Sequence, residues 1–150
     1  MYGFLLVLHN WGRWAIIIAG VVAIVAALKA RNSSATAGAD KSALIFMIIA
    51  DLQLLIGLVL YFVSPFVRTF LAGPGEAMGD SGLRYWGLEH GLMMVIAIAL
   101  IHVGRISGKK AATPAKKYTN MAVYFTVALV LMLVMTPWPF MSNFRPLFRF

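Results

Sequence analysis

The chain has 150 residues, 61% of them hydrophobic and only 12% charged, whereas a soluble domain of this size is nearer half apolar and about twice as charged. One membrane-embedded domain is therefore expected, with no separate soluble module. The lack of cysteine excludes disulfides and thiolate-ligated metals or clusters, and the net charge of +8 is better explained by membrane topology than by nucleic acid.

A spanning helix needs about 20 apolar residues to cross roughly 30 Å of hydrocarbon. Four stretches meet or approach this: residues 4–28, 43–63, 85–103 and 118–136. The first lacks the basic start of a signal peptide and ends on Lys29 and Arg31. It reads as a retained span. The connector 29–42 adds Lys41. After the second span, the connector 64–84 balances Arg68 and Arg84 against Glu76 and Asp80, with a turn signal at Gly73-Pro74-Gly75. The third span leads into 105–117, which carries Arg105, Lys109, Lys110, Lys116 and Lys117. The connectors 29–42 and 105–117 hold all six lysines. The positive-inside rule places them in the cytoplasm, with both termini and the middle connector outside, as in a bacterial inner-membrane protein. Trp11, Trp14, Trp86 and Trp138 then all fall in the outer half, where indole favours the interface. The tail 142–150 alternates Phe with Arg145 and Arg149. It is expected in the outer interface, its arginines meeting lipid phosphates.

Ionisable residues inside spans are costly and thus candidates for function. Here they are His9, Arg13, Asp51, Glu89, His90 and His102, with Gln53 as a neutral companion. His9 and His90 each lie five residues into a span that runs inward, so both sit about 7–8 Å below its outer edge. Two imidazoles at one level on different helices suit a planar cofactor in a bundle core, and imidazoles are good axial ligands for haem iron. The competing reading is two interfacial histidines bonded to water. Gly12 below His9, and Gly87 and Gly91 beside His90, either leave room for a flat ring or only permit helix contact. The same choice applies to Ala15, Ala19, Ala23 and Ala27. Met93 and Met94 would pack adaptably against a macrocycle.

Arg13 must pair or reach the interface. Glu89 lies at nearly its depth, so an Arg13–Glu89 bridge is expected, with a haem propionate as the competing partner. Arg84 or Arg68 could also serve a propionate. In the inner half, Gln53, Gly57 and Tyr61 share one face of the second span. Asp51 could orient His102, accept from Arg105, hold a quinone head group or relay a proton; the plainer expectation is a buried polar clamp. His102 lies 12 residues from His90, about 18 Å along the helix axis and about 120° around it. Both cannot ligate one iron, so at most one bis-histidine haem fits. No phosphate loop, nucleophile elbow or His-Glu-x-x-His motif occurs. A metal site from His9, His90 and Glu89 is awkward, because adjacent helical residues point about 100° apart.

Several segments together carry a resemblance. They are Leu8-His9-Asn10-Trp11-Gly12-Arg13-Trp14, the run from Asp51 to Tyr61, Glu89-His90-Gly91-Leu92-Met93-Met94, and Thr136-Pro137-Trp138-Pro139-Phe140. In this order, over nearly the whole chain, they resemble a family of small bacterial four-span membrane proteins labelled cytochrome b-like. The resemblance implies haem b. The expectation is an all-α, four-span bundle that transfers electrons through one haem b bound by His9 and His90. Such a protein would serve as a subunit or anchor of a redox complex or as a homo-oligomer, not as an enzyme on its own. The alternative is a haem-free accessory subunit of a larger membrane complex.

Overall fold

The computed structural model describes residues 1–150 apart from 34, 35, 142 and 144. The chain forms α1 (Tyr2–Ala30), α2 (Ala37–Val63), the short helices α3 (Pro65–Ala72), α4 (Pro74–Ala77) and α5 (Ser81–Arg84), a single π-helical turn (Tyr85–Glu89), α6 (His90–Lys109) and α7 (Pro114–Val134). No strand occurs among the described residues. α5, the π turn and α6 run on as one rod. With it, four helices are long and apolar enough to cross a membrane: Tyr2–Ala30, Ala37–Val63, Ser81–Lys109 and Pro114–Val134. The protein is an all-α, multi-pass membrane bundle.

All four rods start before the predicted spans, because a nucleated helix extends cheaply through adjoining polar turns. At its far end α7 stops short, at Val134 rather than 136. Pro137 disfavours helical backbone at Thr136, whose Oγ1 instead donates to the Met132 carbonyl at 2.7 Å. Proline opens α3, α4 and α7, where a missing N–H costs nothing. Asp80 caps α5 by accepting from the Leu83 N–H at 2.7 Å. The middle connector is mostly short helices, and the turn signal at Gly73-Pro74-Gly75 falls where α3 gives way to α4.

Around the bundle, α1 packs along α2 and α7, α6 packs along α7, and α2 meets α6 more thinly. The two ends differ. At the lysine end, Lys117 pairs with Asp40 at 2.7 Å, Arg105 donates to the Asp40 carbonyl at 3.4 Å, and Tyr118 donates to the Thr36 carbonyl at 3.3 Å. Above this lies a dry core of Ala23, Ala27, Ala43, Ala50 and Ala97 around Phe46, Ile101 and Phe125. The Phe46 and Phe125 rings meet edge to face, 5.4 Å apart. Gly104 is required here, since a Cβ would press on Tyr124 and Phe125. The four-residue alanine line is only half a packing face. Ala23 and Ala27 are buried, but Ala15 is exposed, because a four-residue step drifts about 40° around the helix each time.

The opposite end carries both termini. The described part of the tail folds back over α1 as a strap. Asn10 and Arg13 donate to the Pro146 carbonyl at 3.0 and 3.3 Å, and Arg13 also donates to Leu147 at 2.6 Å. Trp14 and Trp11 donate to Leu147 and Arg149 at 2.9 and 3.1 Å. Residues 142 and 144 of the predicted interfacial tail lie outside the described residues, as do 34 and 35 of the first lysine connector.

Candidate functional site

His9 of α1 and His90 of α6 come together across the diagonal of the bundle. Their ring centres are 6.3 Å apart and their planes cross at 73°. Equal depth on two helices that run in the same direction brings them to one level. Between the helices at this strap end is a cavity of about 440 Å³. Its wall includes Leu58, Phe62, Leu92 and Val95, which also face outward from α2 and α6.

Each imidazole is set differently. His90 Nδ1 is 3.0 Å from the Met135 carbonyl, an acceptor left over at the end of α7. Tyr85 donates to the same carbonyl at 2.7 Å. The carbonyl can only accept, so His90 Nδ1 carries the proton and Nε2 is the nitrogen free to bind. Such a bond on the far nitrogen is how ligating histidines are commonly oriented. Tyr85 and Trp86 flank the His90 ring, each centred 5.7 Å away. The ring of His9 lies against Gly57, where a Cβ would come within 3.3 Å of it. His9 Nδ1 is buried with no hydrogen-bond partner.

The three residues that the sequence places on one face of α2 all line this cavity. Gln53 donates to the His9 carbonyl at 2.8 Å, Gly57 floors His9, and Tyr61 donates to the Gly87 carbonyl at 2.8 Å. The predicted glycine cradle is correspondingly different. The space beside Gly12 is taken by the Gln53 side chain and that beside Gly87 by the Phe70 ring. Gly91 faces Tyr61 at ordinary contact distance. Met94 lines the cavity and packs on the core.

The expected Arg13–Glu89 bridge does not form. Glu89 accepts from Arg84 at 2.7 Å, a residue one turn away on the same rod. Arg13 spends its donors on the strap carbonyls and is stacked near Trp14 and Trp138, 5.3 and 5.6 Å from their ring centres. Its Nε is buried and unpaired. The strap adds Arg145 and Arg149 to the cavity wall. Arg145 lies over Trp86 at 4.5 Å and Phe66 at 5.5 Å. Among the described residues no carboxylate lines this cavity, so three guanidinium groups stand at one end of an apolar space. The sequence alone places Arg145 and Arg149 at lipid phosphates; here they line the cavity.

Among the described residues, no three His, Cys, Asp or Glu side chains converge as a metal cage. In the other half of the bundle, His102 Nε2 meets Asp51 Oδ1 at 2.8 Å. Arg105 goes to Asp40 and not to Asp51. The pair is not a buried clamp: the His102 and Asp51 side chains are 41% and 40% exposed. No family model, curated protein or solved structure matches the chain.

Proposed function

We propose that this protein is a b-type cytochrome-like membrane protein that carries electrons through one haem b held between His9 and His90. The supporting observation is the histidine pair itself. With metal–nitrogen bonds of about 2 Å on both sides, two imidazole centres flanking one iron stand roughly 6 Å apart; these stand 6.3 Å apart. The surroundings fit the same group. The cavity is apolar between α2 and α6 and cationic at the strap end, matching a flat hydrophobic ring with carboxylates on one edge.

Haem b supplies a one-electron iron couple. The rest is the work of the chain. His9 and His90 would hold the haem iron, and the Met135 carbonyl orients the His90 ring through Nδ1. Met94 and the apolar wall exclude water. Arg145 and Arg149 take the carboxylates, with Arg13 fixing the strap that delivers them. The segregation of all six lysines to one end supports a cytoplasmic lysine end, an outer strap end and a bacterial inner-membrane location. The proposed setting is as a subunit or anchor of a larger redox complex.

An optical spectrum tests this reading. Protein purified in mild detergent from haem-replete cells should show a Soret band, sharp low-spin bands when reduced, and little reaction with carbon monoxide. His9→Ala and His90→Ala should each abolish or convert that spectrum, while His102→Ala leaves it intact. A wild-type protein with no Soret band defeats the proposal. A haem-free accessory subunit would then be the better reading, and the filling of the Gly12 and Gly87 faces by Gln53 and Phe70 favours that outcome.

A further inference from the structure

The Asp51–His102 pair lies where hydrocarbon is expected. Asp51 is eight residues from one end of the apolar stretch 43–63 and twelve from the other, about 12 and 18 Å along the helix. Its neighbours Leu52 and Leu55 on α2, and Val103 and Ile106 beside His102 on α6, are exposed apolar side chains. The charged groups of the lysine end do not reach it: Lys117 and Arg105 are engaged with Asp40. A half-exposed carboxylate–imidazole pair at this depth is expensive unless something polar covers it.

The hydrogen bonding says what kind of group that is. With the His102 imidazole neutral, its Nε2–H donates to Asp51 Oδ1, 2.8 Å away, and Nδ1 is left as a lone pair. Neither Asp51 Oδ2 nor His102 Nδ1 has a hydrogen-bond partner among the described residues. In that neutral state the pair offers two acceptors and no donor. A ligand that satisfies it must bring a donor through the hydrocarbon core. Lipid head groups stay at the interface, so the donor must travel on a hydrophobic carrier. The pair lies close to the cavity: Leu54 and Ile98, about one turn away on α2 and α6, line it, and α2 meets α6 less extensively than the other neighbouring spans meet each other.

We infer that Asp51 and His102 form a docking site for the phenolic head group of a lipid-soluble hydroquinone. The hydroxyl donates to Asp51 Oδ2 or His102 Nδ1, and the ring lies in the α2–α6 groove. This assignment concerns binding alone and does not depend on haem at His9 and His90. It carries a selectivity: the oxidised quinone, whose carbonyls only accept, binds more weakly, and the O-methylated hydroquinone, with no donor, does not bind specifically.

The chain has three histidines, so ¹⁵N-histidine labelling of the full-length protein in phosphatidylcholine nanodiscs gives three imidazole patterns, with His102 identified by His102→Gln. A decyl-substituted benzohydroquinone, kept reduced, should shift the His102 Nδ1 resonance saturably. The decyl quinone should need at least tenfold more, and the dimethyl ether should cause no saturable shift. Asp51→Asn should weaken hydroquinone binding about tenfold or more. If that variant does not elute like wild type, the three-ligand comparison on wild type decides alone. Equal shifts with hydroquinone and its ether would mean simple partitioning and overturn the site, as would no shift at all. Efficient cross-linking of Leu55→Cys between copies in native membranes, together with an unresponsive His102, would assign this face to a second copy instead.

Discussion

The two halves of the bundle use small residues in opposite ways. In the lysine-end half, alanine and glycine draw the helices together: Ala23, Ala27, Ala43 and Ala50 are buried, and Gly104 lets α7 close on α6. In the strap-end half the glycines receive polar and aromatic side chains, without the buried alanines that surround Gly20 and its neighbour Phe46 in the other half. Gly12 receives Gln53, Gly87 receives Phe70, and Gly57 receives the His9 ring. One half therefore closes into a dry core, while the other keeps a cavity walled by polar and aromatic groups. In a membrane, where lipid tails are as apolar as the core, helix association depends on packing contacts and interhelical hydrogen bonds. The lysine-end half combines a close-packed core with polar ties such as Lys117–Asp40 and Tyr118–Thr36, whereas the strap-end half is held across its cavity by bonds such as Gln53 to His9 and Tyr61 to Gly87.

The comparison is broken most directly by Phe46→Ala. Phe46 is fully buried against Phe125, and its loss leaves a cavity that close-packed helices cannot fill. Destabilisation of about 3 kcal/mol is expected, near the low end for buried Phe→Ala because lipid also solvates the freed surface. Met94→Ala, beside the existing cavity, should cost only about 1 kcal/mol, since fewer packed atoms surround it. Denaturation in bicelles measures both. Equal losses would mean that the two halves do not differ in packing.

The same division marks how far the sequence could be read. Helices, their number and the separation of lysines from tryptophans depend on composition along the chain, and these were legible. So was the common level of His9 and His90, because depth follows from counting residues along an axis. Rotation about the axis was not legible. Gln53, Gly57 and Tyr61 were placed on one face, but which helix they address is set by the packing of α2 on α1 and α6. The π turn at Tyr85–Glu89 shifts the phase of α6 against α5, which helps explain why Glu89 meets Arg84 and not Arg13. The strap was misread for a different reason. Its ties run from Asn10, Trp11, Arg13 and Trp14 to backbone carbonyls, and a carbonyl leaves no mark in a sequence. The signal that was present is four donor side chains within five residues of α1.

Those donors give the next effect in size. Arg13→Met keeps much of the aliphatic bulk but removes the charged donor from the Pro146 and Leu147 carbonyls. Bonds from charged donors are worth roughly 1.5–3 kcal/mol, and exposure of the strap to water limits the loss, so about 2 kcal/mol is expected. The loss should be local. Proteolysis or hydrogen exchange should detect release of residues 145–150, with the lysine-end core still protected. Uniform loss of protection would show that strap and core unfold as one unit.

The smallest effect tests the strap-end use of glycine through one contact. A Cβ at position 12 would collide with the Gln53 carboxamide, so Gly12→Ala should cost about 1–2 kcal/mol by overpacking, despite the usual gain of alanine over glycine in a helix. Gln53→Ala removes the bond to the His9 carbonyl, worth about 1 kcal/mol, but also removes Oε1, a buried acceptor without a partner. These two terms oppose each other, so the single change should lie within about 1 kcal/mol of wild type. In the double variant the alanine methyl occupies space that Gln53 has vacated, so the Gly12→Ala penalty should largely vanish. A coupling energy of roughly 1 kcal/mol is expected from the double-mutant cycle, the size usual for residues in contact. Strict additivity would mean that Gln53 can swing clear of α1 at no cost. Gly12 would then be a spacer between helices, like Gly104, rather than a socket for a side chain.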